Sequence, residues 1–211
     1  MLRTLLMTML TGGVMFAQTA HRIPFASTGN TIELIVSNES ANQITGVRVK
    51  VTSIPAWLHV KSSEQTLEPL KPNSEKVAVF TFSVDKVASV YKEQKIIFDV
   101  ISPEGETWTK EIGVMVAPPE RFELMQNYPN PFNPVTNIEY ILPKDSKVQL
   151  VVYNALGQEI TTLVDKVVEA GYRAVSFDAS NLPSGVYFYR VEAVPVEGNS
   201  FTQIKKMLLV K

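Results

Sequence analysis

Val47-Arg48-Val49-Lys50-Val51 and, further along, Ala78-Val79-Phe80-Thr81-Phe82-Ser83-Val84 are the stretches on which the fold turns. In both, an apolar residue recurs at every second position. Successive side chains of a strand point to opposite faces, so Val47, Val49 and Val51 share a face while Arg48 and Lys50 take the solvated one. Ala78, Phe80, Phe82 and Val84 line one side of a longer strand in the same way. The alternation extends to both sides of these two stretches. Ile32, Leu34 and Val36 precede a turn at Asn38-Glu39-Ser40-Ala41-Asn42, and Leu70-Lys71-Pro72-Asn73-Ser74 is another turn. Ile96, Phe98 and Val100 make a further strand, and Ser102-Pro103-Glu104-Gly105 closes a hairpin onto Trp108, Ile112, Val114 and Val116. No window of ten or more residues carries a helical period. About seven short strands in roughly 100 residues predict an immunoglobulin-like sandwich.

Ala117-Pro118-Pro119-Glu120 breaks the pattern. Consecutive prolines donate no ladder hydrogen bonds and hold the chain extended, which suits a linker. Strands then resume at 138–142, 148–153, 159–163, 172–178, 186–194 and 201–210, with glycine or proline in the turns between them. The first stretch of this half, Gln126-Asn127-Tyr128-Pro129-Asn130-Pro131-Phe132-Asn133-Pro134, has too many prolines to be an ordinary ladder strand. The expected architecture is all-β: two consecutive immunoglobulin-like β-sandwiches, residues 21–117 and 121–211, joined by a Pro-rich linker at 118–120. The halves share an architecture without a residue-level repeat.

Composition narrows the function. At 211 residues the chain has room for two small domains, and its 45% hydrophobic and 19% charged content suits a packed core. A net charge of −1 with scattered basic residues supplies no face for nucleic acid. The start, Met1-Leu2-Arg3-Thr4-Leu5-Leu6-Met7-Thr8-Met9-Leu10, places one positive charge before a short apolar run that ends near Phe16-Ala17-Gln18-Thr19-Ala20. That order predicts a signal peptide over residues 1–20, cut after Ala17 or Ala20. The run falls short of the roughly 20 apolar residues a membrane helix needs, so no transmembrane segment is expected in the mature chain. There is no cysteine, hence no disulfide, thiol nucleophile or Cys-ligated metal.

Four blocks of the second half resemble a known family. They are Phe122 to Pro134 with Thr136, Ile138 and Tyr140; Val152-Tyr153-Asn154-Ala155-Leu156-Gly157-Gln158-Glu159; Phe177-Asp178-Ala179-Ser180-Asn181-Leu182-Pro183-Ser184-Gly185-Val186-Tyr187-Phe188-Tyr189-Arg190; and Lys205-Lys206-Met207-Leu208-Leu209-Val210-Lys211. In this order, over residues 121–211, they resemble the type A C-terminal sorting domain of type IX (Por) secretion cargo. The resemblance implies a seven-stranded sandwich that carries folded cargo from the periplasm to an outer-membrane translocon. A surface sortase then removes it, and the cargo is released to the medium or linked to an anionic lipopolysaccharide at the cell surface. The family's recurrent elements fall on Pro129, Asn130 and Pro131, on Gly185 and Tyr187, and on Lys205 and Lys206. The prolines would fix a rigid entry loop, Gly185 would permit a tight turn before Tyr187, and the last strand would offer an edge or a charged side-chain row to a partner. The first half resembles, more loosely, bacterial immunoglobulin-like modules attached to glycoside hydrolases, through Pro55-Ala56-Trp57-Leu58 and Leu67-Glu68-Pro69-Leu70-Lys71-Pro72-Asn73-Ser74.

Catalysis has little to work with. The two histidines are His21, beside the predicted cleavage point, and His59, which alternation turns away from Leu58 and Val60; no nucleophile-elbow or phosphate-loop motif accompanies them. Two histidines cannot build a His-rich metal site. Asp178 and Asp145 near turns are candidates for calcium, which needs about six to eight oxygens that no Asp-rich loop supplies. Asn38-Glu39-Ser40 fits a glycosylation sequon. Trp57 and Trp108, with Tyr91, are candidate ligand aromatics that could stack on sugar. The expectation is therefore an exported, non-enzymatic protein without cofactor or metal, with the translocon and sortase as partners. The alternative is a surface adhesin or carbohydrate-binding module acting on a cell-surface glycan through the first sandwich.

Overall fold

The computed structural model describes residues 20–211, and the signal-peptide expectation falls almost wholly on residues 1–19, outside them. The protein is all-β, and the described residues divide between Ala117 and Pro118 into two compact units. In the first unit a five-stranded sheet, ordered β1-β8-β7-β3-β5, is built from β1 (His21–Ile23), β3 (Arg48–Ser53), β5 (Glu64–Thr66), β7 (Glu93–Ile101) and β8 (Thr107–Val116). The facing sheet, ordered β2-β6-β4, comprises β2 (Asn30–Asn38), β4 (Leu58–Val60) and β6 (Ser74–Val84).

The alternation explains the packing. Ile32, Leu34 and Val36 of β2 are buried, as are Ala78, Phe80, Phe82 and Val84 of β6; across the core stand Val49, Ile96, Phe98, Val100, Ile112, Val114 and Val116. The Phe80 and Phe98 rings meet between the sheets with centroids 5.2 Å apart. A tilted pair at that separation adds to the burial of each ring. Asn38, at the end of β2, is buried with its amide saturated: Nδ2 donates to the carbonyls of Asn42, Leu70 and Lys71, and Oδ1 accepts from Ser40. That satisfies a group that would be costly to bury unpaired.

In the second unit a three-stranded sheet, ordered β13-β10-β9, contains β9 (Glu123–Leu124), β10 (Val135–Leu142) and β13 (Gly171–Asp178). It faces a four-stranded sheet ordered β12-β11-β14-β15, made of β11 (Ser146–Asn154), β12 (Glu159–Val168), β14 (Gly185–Pro195) and β15 (Phe201–Leu209). Its core joins Leu124, Phe132, Ile138, Tyr140, Leu150, Val152, Phe177, Tyr189, Met207 and Leu209.

The long strands lie where the alternation puts them, and the short β1, β5 and β9 are additions. His21 opens β1, which runs parallel to β8 in the register His21↔Val114 and Ile23↔Val116. Five candidate residues take on a definite setting. Trp57 is 7% exposed, with its Nε1 buried and unpartnered, so it offers no ring face to a sugar. Trp108 is half-buried and Tyr91 exposed. Lys205 and Lys206 do not form one row, because neighbours on a strand point to opposite faces; Lys206 is exposed and Lys205 half-buried.

Candidate functional site

The sorting-motif candidates are far apart in sequence, and the second sandwich gathers them at the C-terminal end of β15. Antiparallel pairing with β14 sets Gly185 opposite Leu209, Tyr187 opposite Met207 and Phe188 opposite Lys206. From the other side comes the Pro-rich segment that precedes β10. Phe132 N donates to the Leu208 carbonyl and Val210 N donates to the Phe132 carbonyl, both at 3.0 Å. The side-chain carbonyl of Asn130 accepts from Leu208 N at 3.0 Å, and Gln126 Nε2 donates to the Lys206 carbonyl at 2.8 Å. One edge of β15 is thus occupied by β14 and part of the other by a loop. An open strand edge templates association, so a loop laid along it protects the fold.

Why this segment forms a clasp follows from its composition. Pro129 and Pro131 carry no N–H, so they leave no donor unsatisfied in an irregular stretch. The peptide bonds Tyr128–Pro129 and Asn130–Pro131 are both cis. Phe132 is the anchor: its side chain is 2% exposed and meets Phe177 at 6.1 Å between centroids. Asn127 and Thr136, both buried, tie the loop internally. Asn127 Nδ2 donates to the Pro129 carbonyl and to Thr136 Oγ1, while Thr136 Oγ1 donates to the Pro129 carbonyl.

Tyr189 bolts the clasp to the sheet. Its hydroxyl donates to the Met125 carbonyl and accepts from Asn127 N, each at 2.8 Å. Burial pushes its phenol up to about 12, since the phenolate would have to shed water. The Tyr140 phenol is raised for the same reason, partly offset by Arg173. Tyr187 is buried, with its hydroxyl donating to the Pro183 carbonyl. Nearby the chain end is held: Lys211 N donates to Ser184 Oγ and Lys211 Nζ to the Ser180 carbonyl. Ser180 bonds hold the Asp178 carboxyl below its usual range, with a smaller contribution from Lys211.

The former calcium candidates serve as turn caps. Asp178 accepts from Ser180, and Asp145 Oδ1 accepts from Ala170 N. His59 is exposed, with Nε2 3.8 Å from Asp85 Oδ2. Among the described residues no three His, Asp or Glu side chains gather as metal ligands, and no helix is long and apolar enough to cross a membrane. Sequence reasoning missed Gln126, Asn127, Thr136 and Tyr189 as parts of this site. The one signal for them was their place inside the motif blocks: Gln126 and Tyr189 bond backbone atoms more than sixty residues away, and Asn127 and Thr136 bond within an irregular loop.

No curated protein matches the chain in sequence. Among solved structures, the CupB2 chaperone of Pseudomonas aeruginosa is similar at 12% identity, covering 90% of this chain and 98% of that one, with a TM-score of 0.29. Dimeric latent PorU from Porphyromonas gingivalis is similar at 12% identity over 92% of this chain and 19% of its own, with a TM-score of 0.35. A protein of unknown function from Porphyromonas gingivalis W83 is similar at 12% identity over 92% of this chain and 96% of its own, TM-score 0.36. These scores are too low for a function or partner to carry over. The family comparison is specific: residues 126–209, from the clasp to the last strand, match the family described as "Secretion system C-terminal sorting domain". Residues 126–209 of the second sandwich thus match the sorting-domain family of type IX (Por) secretion, and a tail of this kind indicates export by that route.

Proposed function

We propose that this is a non-enzymatic exported protein whose second sandwich, a type A sorting domain, delivers the first across the outer membrane. A leader over residues 1–20 takes the chain to the periplasm, where both sandwiches fold. The translocon then recognises the C-terminal domain, and a surface sortase cuts between the sandwiches, releasing the first or joining it to anionic lipopolysaccharide. The observation that carries this reading is the convergence of the motif residues on the end of β15 within the segment that matches the sorting family. The surface left to a partner there is formed by Tyr128, Asn130, Pro131 and Lys206, all exposed.

The test is delivery in a host with a working type IX system. The full chain should appear at the surface or in the medium without residues beyond the linker, and a chain ending at Ala117 should stay in the periplasm. Surface delivery of the truncated chain would overturn the proposal.

A second reading concerns what the first sandwich does once outside: it is a surface binding module of the adhesin or carbohydrate-binding kind. Trp108 supports it, because this half-buried ring lines a cavity of about 300 Å³.

A further inference from the structure

The cavity beside Trp108 lies in the first sandwich, where the end of β2 approaches the β7–β8 hairpin. Its wall is apolar at Val36, Val47 and Leu70, aromatic at Trp108 and acidic at Glu39 and Glu106. Its volume of about 300 Å³ is at the low end for a ligand site and suits a single side-chain-sized group.

Two features bear on what it can hold. First, one wall is rigid: Asn38 also lines the cavity, and its amide is locked to Asn42, Leu70, Lys71 and Ser40. The loop that carries Glu39 is therefore ordered before any ligand arrives, and less ordering entropy is lost on binding. Second, the charges are uncompensated. Elsewhere on this sandwich Glu64, Glu68 and Glu111 sit 3.3, 2.7 and 2.6 Å from Arg48, Lys76 and Lys95, while Glu33, Glu75 and Glu104 stand without an ion pair among the described residues. Among the described residues Glu39 and Glu106 have no such cation. An aromatic face beside two unpaired carboxylates favours a cation, through the ring quadrupole and through Coulomb attraction. Val36, Val47 and Leu70 add a place for methylenes, and long basic side chains bury such stems while their charged head stays polar-paired.

We propose that this cavity binds a cationic group on a short apolar stem, as presented by a lysine or arginine side chain of a peptide. The inference rests on the binding-module reading of the first sandwich and specifies its ligand chemistry.

The protein has two tryptophans, so indole N–H signals of the ¹⁵N-labelled full chain report on Trp108 and Trp57 separately. The probes are N-acetyl-lysine-methylamide, its uncharged analogue N-acetyl-norleucine-methylamide, and glucose. The lysine probe should shift the Trp108 signal saturably and leave buried Trp57 in place. The paired substitution Glu39→Gln with Glu106→Gln should weaken that binding at least tenfold, with the amide spectrum otherwise retained because both side chains are exposed. Equal binding of the norleucine probe, or equal affinity in the paired variant, would overturn the cation assignment. A shift with glucose alone would overturn it too, while leaving the binding-module reading intact. No shift with any probe would remove both at this cavity.

Discussion

In each sandwich the last strand lies next to the first segment of its own unit, yet the two edges are closed by different chemistry. In the first, β1 adds to β8 as a parallel strand, and Ile23 continues the pairing by accepting from Ala117 N at 2.8 Å. In the second, the edge of β15 is met at a few points, several of them through side-chain amides: Asn130 to Leu208, Gln126 to Lys206, and Gln203 Oε1 to Leu124 N. Backbone pairing is indifferent to most residue identities. A loop that pairs through amides and avoids stranded donors through prolines is written in particular residues. That is why the second sandwich is recognisable by motif and the first by alternation alone.

The sharpest way to break this contrast is at the anchors. Phe132→Ala removes a buried ring under the clasp and should destabilise the second sandwich by about 3–5 kcal/mol. Ile23→Ala, in a strand held by backbone pairing as well as by its side chain, should cost the first sandwich about 2–4 kcal/mol. Urea dependence of amide exchange, read separately on peptides from each sandwich, checks both. If Phe132→Ala cost less than Ile23→Ala, the clasp would be an ornament on a sandwich that closes without it.

Tyr189→Phe should rank next. It leaves packing intact and strands Asn127 N and the Met125 carbonyl, a loss of about 1–3 kcal/mol. It should also alter the alkaline limb. The folded phenol lies near 12 against a usual 10.0, so the fold prefers the neutral form. That contribution is complete below the unfolded value and is lost as pH rises through the folded one. The variant should show a shallower stability loss over that window, with the raised Tyr140 leaving a residual slope. Identical alkaline limbs would mean that Tyr189 does not couple the clasp to the sheet.

Much of this was legible in the sequence, and the rest was hidden for identifiable reasons. β2, β6, β7 and β10 through β15 are long enough for a period of two to show; β1 and β9, at three and two residues, are not. Alternation also shows which residues of a strand share a face but not which strand lies beside it, so the parallel pairing of His21 with Val114 had no sequence signal. The motif marked Asn130 and Lys206 without their geometry, because an amide in a loop can bond its own backbone as readily as a strand eighty residues away. Trp57 is 7% exposed, and burial of a loop aromatic depends on tertiary packing that a period of two does not encode.

Asn130→Ala should have a smaller effect, about 0.5–1.5 kcal/mol, with faster exchange at the Leu208 amide. Asn130→Asp keeps an acceptor for Leu208 N and should restore much of the protection. Similar exchange in both variants would mean that Phe132 alone holds this stretch of the edge.

The smallest change in stability is expected from Tyr128→Ser, and it separates folding from recognition. The Tyr128 side chain is 79% exposed, while its backbone pairs with Asn137 through two bonds of 3.0 Å that a serine would keep. Stability should therefore move by no more than about 0.5 kcal/mol. Of the exposed residues at this end of β15, Tyr128 is the large aromatic, and its ring makes no contact in the fold that a serine would forfeit at much cost. Export of this variant should fall while its exchange pattern stays that of the parent protein. Full export would reduce the motif to what it does for β15, placing recognition elsewhere on the domain.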